Sequence, residues 1–258
     1  MKIPKIILPF LLLLLIIGCS KDSTDSDNGT PRVDKSANLK ALGASANELL
    51  SDVKFTSLTV EVVYVTGFKP TDVALNNLSE FLLEHTFKPD GVKITTRAVA
   101  SSNKAPFSIE EIAQVEADER SVYNAGDEIA VFLYVADGSN ENDEDNKVVL
   151  GSAFRNTSIV LYGKTIEKIA NNSPSTAKSD VESAVLNHEF GHLFGLVDVG
   201  SPMQVDHEDS ESQAHCNVSG CLMTANIEFG GSIIDMIDNN IPELEDLCIN
   251  DLVANGGR

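Results

Sequence analysis

The stretch Asn187–Asp198, NHEFGHLFGLVD, decides how the chain folds, and it contains the pattern H-E-x-x-H-x-x-G-x-x-D. On an α-helix His188 and His192, four residues apart, project from one face, so two imidazoles can grip one divalent ion. Glu189 lies beside them, badly placed to share that ion but able to reach a water next to it. The apolar residues Val185, Leu186, Phe190, Leu193 and Phe194 let the helix sit in a core while its histidine edge lines a cleft. Gly195 then ends the helix, because a residue without Cβ turns through positive φ and swings the chain back. The competing reading is chance. Three fixed positions recur in roughly a few per cent of chains of this length, so the motif needs support from the rest of the sequence.

Zinc prefers imidazole nitrogens, and a catalytic site keeps three protein ligands and one open position. Such an ion lowers the pKa of water toward about 7, and Glu189 would act as general base and then pass the proton to a leaving amine. This is the chemistry of peptide hydrolysis.

Support comes from downstream. His215–Met223 reads HCNVSGCLM. H-E-x-x-H-x-x-G resembles the metzincin clan of zinc peptidases, and the later segment resembles the archaemetzincin pattern, in which a ligand histidine is followed directly by C-x4-C-x-M. The resemblance implies a zincin-like fold, a catalytic zinc held by His188, His192 and a third ligand, and a methionine turn at Met223. The alternative for Met223 is a filler of a core gap.

In archaemetzincins the third histidine stands three residues after the glycine, where this chain has Asp198. His215 is the leading third ligand, because it keeps the family's context and imidazole suits zinc. Asp198 and His207 remain alternatives; if His215 is the ligand, Asp198 caps the loop or orients a ligand. The family's two cysteines join a later C-x-x-C to bind a structural zinc, and here that later pair is Cys248 and Asp251. A second zinc on Cys216, Cys221, Cys248 and Asp251 is one expectation; a disulfide among the three cysteines is preferred for an exported protein.

The rest of the chain alternates β and α. Helical spacing predicts a first helix over Ser36–Leu50, and the β-branched run Ser57–Thr66 a buried strand. A helix capped by Thr71 or Asp72 runs to about Thr86, followed by a strand over Val92–Val99. Ser108 and Glu111 form a capping box for a helix through Ser121. Glu128–Ala136 is the most apolar strand and is expected at the centre. Shorter strands follow over Val148–Phe154 and Ser158–Tyr162, and a second capping box, Ser179 with Glu182, opens the helix that carries His188. The fold class is α/β (α+β), zincin-like, with a mixed, mostly parallel sheet. Residues 36–195 form an N-terminal subdomain, and 196–258 an irregular C-terminal one. In metzincin-like folds the strand at Val148–Phe154 is the edge along which an extended substrate lies antiparallel.

Met1–Cys19 reads as a secretory signal, with Lys2 and Lys5 before the apolar run Ile6–Ile17. Its ending IIGC resembles the lipobox of bacterial lipoproteins, which implies lipidation at Cys19. Residues 20–35 form a polar tether. Its acidic start resembles surface-export signals of Bacteroidetes lipoproteins, so the periplasmic and cell-surface sides of the outer membrane both stay open. The formal charge of -20 excludes nucleic acid as a partner and leaves membrane contact to the lipid. Asp137–Asp145 is rich in oxygen ligands but lacks EF-hand spacing, and reads as a solvated acidic loop rather than a calcium site. The whole reads as a membrane-anchored zinc metallopeptidase acting on peptides or proteins, an endopeptidase in preference to an aminopeptidase. The alternative is a surface lipoprotein that binds peptides or host protein on the same scaffold without cutting them.

Overall fold

In the computed structural model residues 34–145, 147–173, 176–230, 233–237 and 240–258 are described. The signal segment, Cys19 and the tether up to residue 33 lie outside them. Among the described residues no helix is long and apolar enough to cross a membrane.

The predicted first helix is replaced by two pieces, a 3-10 turn over Lys35–Asn38 and α1 over Ala46–Leu50. Leu39, counted on the apolar stripe, is exposed. The break falls at Gly43, whose φ is +74°. A Cβ there would lie 1.6 Å from the Val199 carbonyl oxygen, and one on Gly200 would lie 2.7 Å from the Gly43 oxygen. Two bare backbones in contact thus fasten the N-terminal strap to the loop that follows the histidine helix.

The sequence β1 (Ser57–Val65), α2 (Asp72–His85), β2 (Gly91–Val99), α3 (Ile109–Glu119) and β3 (Glu128–Ala136) builds the parallel part of the sheet. Then come β4 (Gly151–Arg155), β5 (Ser158–Tyr162), α4 (Gly163–Asn171) and α5 (Lys178–Leu193). The five strands lie in the order β2-β1-β3-β5-β4, with β3 central and β4 the antiparallel edge. Side chains alternate between two cores. Ile129, Val131, Leu133 and Val135 of β3 pack toward α2 and α5, whereas Phe132, Tyr134 and Ala136 pack with Ile112 and Val115 of α3.

The Ser108–Glu111 capping box forms as expected. The expected box at Ser179 and Glu182 does not. Helix α5 begins at Lys178 without a side-chain cap, and Glu182 instead accepts hydrogen bonds from Thr71 N and Oγ1 at 2.9 and 2.8 Å. Since Thr71 is the N-cap of α2, this one carboxylate ties the starts of two helices together. Beyond α5 the chain is irregular, with the β6–β7 hairpin (Glu208–Asp209, Ser212–Cys216), α6 (Ala225–Glu228), α7 (Ile233–Ile237) and α8 (Asp246–Ala254). Residues 36–195 and 196–258 fall within one compact unit.

Gly43→Ala forces both a left-handed conformation and a backbone clash. It should lower unfolding free energy by ~2–3 kcal/mol in denaturant titration, the sum expected for strain plus overpacking.

Candidate active site and a second metal centre

Helix α5 is buried along nearly its whole length, and His188 and Glu189 are fully inaccessible. Gly195, at φ +74°, stops it, with Gly195 N bonded to His192 O and Leu196 N to Gly191 O. Val197 and Asp198 also take positive φ, so the chain turns outward and Asp198 ends exposed. The hairpin then brings His215 back. Its ring centroid lies 5.4 Å from that of His188 and 5.2 Å from that of His192, and the two helix rings are 4.7 Å apart. The nitrogens of His188, His192 and His215 and a carboxylate oxygen of Glu228 all lie within 4.8 Å of one another. Asp198 is not in this group, and neither is His207.

The hydrogen bonds show which nitrogens face inward. His188 Nδ1 lies 2.7 Å from the Leu222 carbonyl and His215 Nδ1 lies 2.9 Å from that of Gln213. A carbonyl only accepts, so each Nδ1 carries a proton and Nε2 is the nitrogen left to face the cluster. His188 Nε2 stands 3.0 Å from His192 Nε2. Burial, reinforced by the nearby His215, pushes His188 down to about 4, and burial also holds His192 well below its ordinary value. His188 and His192 are therefore neutral at pH 7. Unprotonated nitrogens converging in a dry interior fit a divalent, nitrogen-loving ion, and the backbone carbonyls on the far nitrogens fix the tautomer such a ligand needs.

Glu189 has no hydrogen-bond partner on either carboxylate oxygen. Burial raises its pKa well above the usual carboxylate range, and the Glu228 carboxylate adds to the rise, while the nearby Ala153 amide pulls the other way. Gly151, at the start of the edge strand, makes room for this side chain, since a Cβ there would lie 2.8 Å from Glu189 Oε1. From beneath, Met223 is fully buried with Sδ where a Cβ on Gly191 would fall, 2.2 Å away. Met223 O accepts from Cys216 N at 2.7 Å, which joins the floor of the site to the residue after His215.

His207 belongs to a different cluster. Its Nδ1 lies 3.3 Å from Cys216 Sγ and 3.9 Å from Cys248 Sγ, and Cys221 Sγ lies 3.6 Å from Cys248 Sγ. All three cysteines are free thiols, which overturns the expected disulfide; that bond needs sulfurs near 2.05 Å. Asp251 is also misassigned as a direct ligand. Its Oδ2 meets His207 Nε2 at 2.9 Å and its Oδ1 accepts from Gln204 N, so it orients the imidazole whose other nitrogen faces the sulfurs. Hydrogen bonds with Cys216 and Cys248 push the Cys221 thiol down to about 3, the contact with Cys221 pushes Cys216 up to about 11, and contacts with Cys216 and Cys221 push Cys248 up as well. Only a bound cation would let more than one of these sulfurs be a thiolate. His207, Cys216, Cys248 and the Glu245 carboxylate place their ligand atoms within 4.8 Å of one another, with Cys221 Sγ beside Cys248, so donors enough for a tetrahedral zinc converge here.

Among the residues that matter here, Gly151, Glu228 and the placement of His207 were not legible beforehand. Glu228 follows Met223 in an unremarkable TANIEF segment, and nothing local marks it.

No family model matches the chain, and no curated protein matches it by sequence. Among solved structures it is similar to archaemetzincin from Methanopyrus kandleri, with a TM-score of 0.51 and 17% identity over 78% of this chain and 96% of that one. The fold is archaemetzincin-like. A zinc-dependent peptidase from Methanocorpusculum labreanum (TM-score 0.45, 14% identity, 75% of this chain and 99% of that one) is more distant. So is metalloproteinase-II from Bacteroides fragilis (0.44, 12%, 88% and 58%). The mixed five-strand sheet, with α5 beneath its edge, belongs to that archaemetzincin-like architecture.

Purified protein should carry two zinc equivalents per chain by elemental analysis. Cys248→Ser should lose one of them and lower Tm, because a structural ion's binding free energy is part of the folding free energy. Retention of both equivalents would contradict the second centre.

Proposed function

We propose that the chain is a zinc metallopeptidase. The observation that carries this reading is the pairing, in an archaemetzincin-like fold, of three converging imidazole nitrogens with the unpartnered, buried carboxylate of Glu189. His188, His192 and His215 would hold the ion. Zinc bound there supplies Lewis acidity and makes hydroxide accessible near pH 7.

The chain's own residues do the rest. Glu189, with nothing else bonded to its oxygens, takes the proton of the attacking water and returns it to the leaving amine. The edge strand β4 offers backbone groups on which an extended peptide can add as a further strand. That surface supports an endopeptidase, since an edge strand recognises a length of backbone rather than a chain terminus. Membrane anchoring through Cys19, by the lipobox IIGC, is part of the same proposal and is supported by the sequence alone.

A non-catalytic binder is disfavoured by Glu189 itself. A buried carboxylate without a partner destabilises the fold, and a protein that only bound peptide would gain nothing from it.

Glu189→Gln should lower kcat/KM on a mixed peptide library by about 10²–10⁴, the usual contribution of a general base, with zinc content unchanged. Undiminished cleavage in the variant would remove Glu189 from the mechanism. The same substitution tests the burial. Because the folded-state pKa of Glu189 is raised, the metal-free native state holds a proton that the unfolded chain releases, so wild-type stability falls as pH rises above the ordinary glutamate range. Metal-free Glu189→Gln lacks this loss. Its Tm should match wild type at pH 4 and exceed it increasingly toward pH 8.

A further inference from the structure

Glu228 stands where the reacting water and substrate should have access. Its Oε2 is 2.8 Å from His215 Nε2, with a side chain only 16% exposed, and it shares the 4.8 Å cluster with all three histidines. This close contact is not a hydrogen bond: His215 Nε2 has no hydrogen-bond partner. The proton of that ring sits on Nδ1, bonded to Gln213 O. Nε2 is therefore the His215 nitrogen turned toward both the Glu228 carboxylate and the other two imidazoles. A cation enclosed by these four side chains would meet nitrogen and carboxylate donors together. A role for Glu228 in orienting His215 is already filled by the Gln213 carbonyl.

Its neighbours hold Glu228 in place. Leu150 N, just before the edge strand, donates to Glu228 O at 2.8 Å, and the Phe229 ring lies 5.7 Å from that of His215 with Lys147 Nζ above it at 3.9 Å. A groove of about 560 Å³ runs past Ser152 and Lys147, and it is lined by Glu228 and Phe229 but by none of the three histidines nor by Glu189. Glu228, at the end of α6, thus borders both the groove and the histidine cluster.

We propose that Glu228 is a fourth protein ligand of the metal at the histidine centre, closing the position a catalytic site leaves for water, so that α6 and Phe229 must move before substrate enters. This rests on the zinc of the reading above but not on its cleavage chemistry. A zinc sphere accepts carboxylate, and four protein ligands mark a closed site where three mark an open one.

The test uses the full chain with Glu228→Gln and Glu228→Ala beside wild type and His192→Ala. Zinc release to a colorimetric chelator should run in two phases, the one missing from His192→Ala belonging to the histidine centre. Both Glu228 variants should speed that phase at least tenfold and leave the other unchanged. Both should also bind acetohydroxamate, a small chelating probe of the vacated position, at least tenfold more tightly than wild type. An unchanged release rate, or an unchanged hydroxamate affinity, overturns the proposal. So does a Glu228→Gln variant that behaves as wild type, because a glutamine could keep a hydrogen-bonding role but not an anionic ligand's. If these metal effects appear while no variant cuts any peptide, the fourth-ligand assignment stands and the peptidase reading falls.

Discussion

Three imidazole rings converge with their nitrogens inside a dry core, a contact that the protein alone does not satisfy. His188 and His215 each turn Nδ1 to a backbone carbonyl, and burial keeps His188 and His192 from taking up a second proton near pH 7. Around them stand two carboxylates, Glu189 without a hydrogen-bond partner and Glu228 at 2.8 Å from His215 Nε2. A divalent cation resolves all of these conflicts at once, and this single requirement accounts for the geometry of the α5 face, the hairpin and α6. It also links folding to metal, since the cost of gathering such groups without an ion falls on the folded state.

The rest of the C-terminal half reads as scaffolding for that contact. Met223 presses on Gly191 and passes its carbonyl to Cys216, while Leu222 supplies the carbonyl that orients His188. The cysteine centre joins residues 207, 216, 221 and 248, gathering the hairpin and α8 where little regular structure exists to do so. A second ion there would hold the irregular region against the helix. Both centres are therefore one mechanical unit, with His215 and Cys216 adjacent in sequence and each facing its own site.

What was legible in the sequence follows the range of the forces involved. The parallel strands, the capping box at Ser108 and the αL stop at Gly195 were readable because each is set by residues a few positions apart. Ser179 and Glu182 fit the same local rule and failed, because Glu182 finds a better partner in Thr71, far away in sequence. His207 and Asp251 were beyond reach for the same reason: spacing along the chain cannot say that the hairpin delivers an imidazole to a cysteine cluster. The exposed Asp198 shows the limit of transferred spacing. After it the positive-φ turn runs outward, and it is His215 whose ring the hairpin brings beside His188 and His192. Gly151 and Glu228 carry no local signal whatever; their meaning is entirely a matter of what folds against them.

The most direct test of the central claim is metal-edge anomalous scattering from crystals of the protein purified without chelator. The account predicts a zinc peak enclosed by the Nε2 atoms of His188, His192 and His215, and a second one among His207, Cys216, Cys221 and Cys248. Crystals of folded protein with zinc in the buffer and no peak at the histidines would contradict it, and the H-E-x-x-H pattern would then be an accident on a core helix.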